Sequence, residues 1–137
     1  MENLIPFTSI ELGKITNHRS GEIKFGEKIL TVPSGVHPVD FITHSKAKFV
    51  LFGIPEDIGV RANFGRPGAA TAWESAIKSI ANIQHNRFCK GNQLLLLGAL
   101  DVKEELKKAE NLDFLNTEDR KTFSSLVEKI DKEVSHI

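Results

Sequence analysis

The chain has 137 residues, 40% hydrophobic and 26% charged, which suits one ordinary domain able to bury a core. Eighteen Lys+Arg against eighteen Asp+Glu leave no net charge, arguing against a general nucleic-acid binder, which needs surplus positive charge, and against an acidic disordered tail. A lone Cys89 excludes an internal disulfide, and the absence of a basic, apolar start or of any run of about 18 apolar residues leads us to expect no signal peptide, no membrane span and a cytoplasmic location.

Residues 1–47 read as an amino-terminal extension rich in turn formers, with a possible hairpin over Ile23–Leu30 around Gly26. Pro33, Gly35 and Pro38 punctuate the next stretch, and Val39–His44 suits one or two helical turns. Phe49–Ile54 is a continuous apolar run between Lys48 and Pro55, as expected of a parallel strand covered on both faces. Leu94–Gly98 is a second such run. Between them Thr71 and Glu74 have capping-box spacing, and Trp73, Ala76, Ile77 and Ile80 share one helical face. Strand, helix and strand read as a βαβ unit with parallel strands. Val102–Glu110 reads as a charge-dense surface helix. Thr117 caps a last helix whose face is Phe123, Leu126, Val127, Ile130 and Val134. Residues 48–137 thus form a βαβα start. Two apolar strands leave raw edges, so the chain is expected to be the front part of a larger α/β domain.

The connection Pro55–Ala70 is long for a strand-to-helix loop, and long loops there are often functional. It leaves the carboxyl end of a parallel strand, where ligands bind in open α/β sheets. It carries Arg61, Asn63 and Arg66 among Gly59, Gly65 and Gly68, with Glu56 and Asp57 at its start. Glycine permits close backbone approach, and arginine grips a carboxylate or phosphate with two parallel hydrogen bonds. The residues alone leave two readings open. One is an anion-binding loop; the other is a purely structural loop in which Asp57 pairs with Arg61.

The run Asp57-Ile58-Gly59-Val60-Arg61-Ala62-Asn63-Phe64-Gly65-Arg66-Pro67-Gly68-Ala69 resembles the loop signature of the arginase/agmatinase/formimidoylglutamase superfamily, closest to the formimidoylglutamase branch. The similarity is traced over residues 48–135. It implies the amino-terminal part of a three-layer α/β/α arginase-like fold with a mainly parallel sheet. It further implies a hydrolase with two manganese ions, which cleaves N-formimidoyl-L-glutamate to L-glutamate and formamide in histidine breakdown. Carried over by position, Asn63 and Arg66 would hold a glutamate carboxylate, with Arg61 a weaker candidate, and Gly65 would keep the loop close to the site.

The family's metal-binding segments, Gly-Gly-x-His, Asp-x-His-x-Asp and Ser-x-Asp-x-Asp, do not occur in this sequence. The metal-binding polypeptide is therefore expected beyond Ile137, with no catalytic or metal residue here and no activity in this segment alone. The partner implied is a small-molecule substrate, with possible homo-oligomers of the complete enzyme. His18, His37, His44, His85 and His136 are scattered unlike metal ligands, and Cys89 reads as an idle thiol beside a weak His85 pairing. Two alternatives stay open: a ureohydrolase acting on a guanidino substrate, and a non-catalytic phosphate- or anion-binding α/β module.

Overall fold

A computed structural model describes residues 3–137. The chain is α/β and divides into two compact units, each assembled from segments distant in sequence.

The first unit holds Ile5–Gly53 and Glu74–Ala99 and carries the sheet. Its strands are β1 (Leu4–Pro6), β2 (Leu30–Thr31), β3 (Phe49–Gly53) and β4 (Leu94–Leu100). β4 is the hub. On one side β3 pairs parallel to it, from Phe49↔Leu94 to Leu51↔Leu96, and resumes one residue later at Phe52↔Gly98. β2 also pairs parallel, with Leu30 opposite Leu95. Leu95, Leu96 and Leu97 are buried, consistent with a strand flanked on both edges. The irregularity falls where Gly98 adopts φ +145° and the backbone of Ile5 and Pro6 passes too close for any Cβ. The expected parallel βαβ unit is therefore present, with α4 (Ala72–Ala81) between its strands.

Several local expectations are corrected. β3 is not covered on both faces: Phe49 is 64% and Val50 43% exposed, and these neighbours point to opposite faces of the sheet; β3 also pairs only with β4 among the described residues. The Ile23–Leu30 stretch is no hairpin. Phe25–Glu27 is a 3-10 turn, Lys24 bridges instead to Gln84, and β2 starts at Leu30. Gly26 is buried there, where a Cβ would collide with the Thr16 hydroxyl and approach Ala81 to 3.0 Å. Residues 9–15, for which no element is expected, form α1 (Ser9–Ile15). Thr8 and Glu11 close its capping box, the Glu11 N–H donating to Thr8 Oγ1 at 3.2 Å and the Thr8 N–H to Glu11 Oε2 at 2.8 Å. The turns expected over Val39–His44 are α2 (Pro38–His44), with Pro38 at its first position. The box expected from Thr71 and Glu74 is not formed. A 3-10 turn, Ala69–Thr71, precedes α4, so Thr71 is already inside the turn and its hydroxyl donates to the Gly68 carbonyl at 2.9 Å.

The second unit holds Ile54–Trp73 and Leu100–Ile137, together with Asn3 and Leu4. It is helical: α3 (Ile58–Ala62), α5 (Lys103–Ala109) and α6 (Thr117–Val134). Its core is Ile58, Leu100, Val102, Ala109, Phe123, Leu126 and Ile130, with Val127 and Val134 packed against it. The periodic face expected for α6 is thus the buried one. Each large apolar side chain removed from water there contributes roughly 1.5–3 kcal/mol before chain entropy is subtracted. The α6 N-cap is Asn116, one residue before Thr117; its Oδ1 accepts from the Glu118 N–H at 2.8 Å. No described helix is long and apolar enough to cross a membrane.

Candidate functional site

The Pro55–Ala70 segment lies in the helical unit and is not a plain loop. Ile58 and Ala62, four residues apart, turn one face of α3 onto the core, with Ile58 fully buried. Glu56 Oε2 accepts from the Gly59 N–H at 3.0 Å, satisfying one of the free donors at the start of that short helix. Asp57 occupies the cap position but uses its carboxylate elsewhere. Its Oδ2 accepts from the Gly68 N–H at 2.7 Å, tying the two ends of the segment together.

Arg61 does not pair with Asp57. Its Nη2 donates to the carbonyls of Leu112 and Glu110 at 3.4 and 3.5 Å, and its guanidinium carbon lies 5.3 Å from the centre of the Phe123 ring. Those carbonyls follow the end of α5, where a cation offsets the outward-pointing C=O dipoles. Asn63 ends α3 and donates its side-chain Nδ2 to the Gly59 carbonyl at 3.0 Å. Phe64 follows at φ +60°, a left-handed conformation uncommon for a non-glycine residue. Its ring meets Phe114 edge-on at 5.5 Å and lies 5.6 Å from the guanidinium carbon of Arg120. Gly65 then donates to the Val60 carbonyl at 2.8 Å, and a Cβ there would stand 2.5 Å from Val60 Cγ1. Gly68 sits at φ +127°. Between these two glycines Arg66 is exposed, and its side chain makes no ion pair or hydrogen bond among the described residues. Of the residues singled out from sequence, then, Arg66 presents a free cation. Asn63 presents its amide oxygen, Arg61 is an anchor, and Gly65 matters for the side chain it lacks.

No family model, curated protein or solved structure matches this chain. What the site can do is set by the side chains themselves. The turn offers the Arg66 guanidinium to an anion and, beside it, the Asn63 amide oxygen to a hydrogen-bond donor. Among the described residues no three His, Cys, Asp or Glu side chains are gathered to hold a metal ion. His85 and Cys89 lie in the sheet unit; the His85 Nδ1 accepts from the Gly91 N–H at 3.2 Å, and Cys89 is a free, half-buried thiol.

Sequence reasoning missed two polar residues. Asp57, expected as an arginine partner, serves as a clamp across 11 residues, for which no periodic signal exists. Glu105, expected on a solvated charge run, is 6% exposed and takes a hydrogen bond from Lys129 Nζ at 2.5 Å.

Proposed function

We propose that this chain supplies the substrate-facing loop of a hydrolase of the arginase/agmatinase/formimidoylglutamase superfamily. Its reaction is cleavage of a C–N bond in a linear amidine, N-formimidoyl-L-glutamate, to give L-glutamate and formamide in cytoplasmic histidine breakdown. The observation that carries the reading is the Arg66 turn. A segment braced by Asp57 and folded tightly at Gly65 leaves one arginine with its whole donor fork free. In this reading Arg66 takes the glutamate carboxylate by two parallel hydrogen bonds, a geometry that lysine cannot reproduce. Asn63 orients the substrate through its free amide oxygen. Arg61 holds the segment against the end of α5. No bond-breaking role falls to these residues, and the manganese pair belongs to other polypeptide of the enzyme.

The test is expression of the open reading frame that contains this chain, followed by assay of formamide release with Mn²⁺. Turnover on N-formimidoyl-L-glutamate, with KM raised roughly tenfold or more by Arg66→Ala, is the expected result. Turnover on arginine or agmatine instead moves the protein to the guanidino branch. No turnover on either, with calorimetric binding of inorganic phosphate, leaves an anion-binding module and overturns the enzyme reading.

A further inference from the structure

A second recess lies in the same helical unit, on the segment that carries Arg66 but lined by other side chains. It is a shallow, open recess of about 390 Å³ lined by Asp57, Arg61, Lys107 and Glu110, with Pro67 and Leu106 as apolar wall. Two carboxylates and two cations thus face one small volume, yet no oppositely charged pair among these four comes within salt-bridge distance. Asp57 is only 7% exposed and uses Oδ2 on the Gly68 N–H. No fully buried side-chain oxygen in the described residues lacks a partner, so the unbonded Oδ1 is not fully buried, and Asp57 lines the recess. Arg61 commits Nη2 to two carbonyls, which leaves Nη1 and Nε to donate.

We infer that this recess is a binding site for a small zwitterion of the α-amino-acid class, its ammonium on Asp57 and its carboxylate on Arg61 and Lys107. Charge balance selects that class. A plain anion meets the carboxylates of Asp57 and Glu110, and a plain cation meets Arg61 and Lys107. Only a ligand carrying both signs gains from each wall without opposing the other. The recess leaves room for an amino acid of modest size, held at the surface by charge rather than by enclosure. The inference does not rest on the proposed hydrolase reaction. It concerns residues other than Asn63 and Arg66.

The experiment is a heteronuclear NMR titration of the full chain with glycine, sodium acetate and methylammonium chloride at constant ionic strength. Glycine is expected to move the backbone amides of Leu106, Lys107 and Glu110, while acetate and methylammonium at equal concentration leave them in place. Lys107→Met, on the exposed side of α5, should weaken the glycine response roughly threefold or more. Shifts at those amides from acetate alone overturn the inference, as does no glycine response up to tens of millimolar. Acetate shifts confined to Asn63–Arg66 would report on the carboxylate-binding turn instead, so the two readings fail separately.

Discussion

Gly59 and Gly65 occupy the same short segment, and alanine is expected to act on them in opposite directions. A Cβ on Gly65 meets Val60 Cγ1 at 2.5 Å and the Val60 carbonyl oxygen at 2.8 Å, and backbone does not yield cheaply. Gly65→Ala should destabilise the chain by about 1–3 kcal/mol, the usual cost of overpacking. Gly59 lies inside α3, with Glu56 Oε1 its nearest neighbour at 3.6 Å. Gly59→Ala should gain up to about 0.5–1 kcal/mol from the lower chain entropy of alanine in a helix. Urea midpoints at constant m-value distinguish the two. Both glycines stand in the sequence, but nothing there says which one is indispensable, because the obstacle is a Val60 side chain brought back by a turn. Arg66→Ala should shift stability by no more than about 0.5 kcal/mol, since the side chain is unbonded, while removing the acetate response of the turn.

Between elements, Lys129 of α6 reaches Glu105 of α5 in a side-chain ion pair at the edge of the helical unit's core. Glu105 lies within the run Lys103–Glu110, which in sequence has the look of a solvated face. The residue that answers it, Lys129, is 24 positions away, beyond the reach of any helical period. By contrast the apolar face of α6 was legible, because a repeat of three and four residues is a local property. Burial by itself would raise the Glu105 carboxyl; the Lys129 hydrogen bond, a backbone N–H and the Lys129 charge together outweigh it and hold the group below the ordinary 4.5. A carboxyl depressed in the folded state stabilises the fold at any pH above its unfolded value, and that contribution disappears as pH falls through the folded value. Lys129→Met should therefore lower the melting temperature by a few degrees at pH 7. The loss comes from stranding a nearly buried carboxylate, and the half-exposed position of the lysine tempers it. The difference from the parent chain should shrink as pH drops below about 4.5 and Glu105 takes up its proton. Thermal melts at about pH 7 and about pH 2, on either side of the carboxylate range, check the sign. A penalty that grows in acid would contradict the assignment.

At the scale of the whole chain, the sequence disclosed the strongly patterned parts and hid the assembled ones. β3, β4, α4 and α6 each carry a run or a period long enough to read. β2 has only Leu30 and Thr31, and β1 only Leu4–Pro6, too short for any pattern to accumulate. Nor does composition mark a boundary at Gly53 or Leu100, although the helical unit takes up the chain at Ile54 and again at Leu100. Its core draws Ile58 from one segment and Phe123 from another, a pairing that no local rule can find. Phe123 is the test of that core. It is 1% exposed, packs within the apolar cluster and offers its ring to the Arg61 guanidinium. Phe123→Ala removes both the packing and the surface on which Arg61 lies, and should cost about 3–5 kcal/mol. Native-state hydrogen exchange reads where the loss falls. Amides of α3 and α6 should lose protection first, whereas Leu96→Ala, at a buried position of β4, should act first on that strand. If Phe123→Ala left the α3 amides as protected as before, Phe123 would not be what holds the Arg61 segment in place.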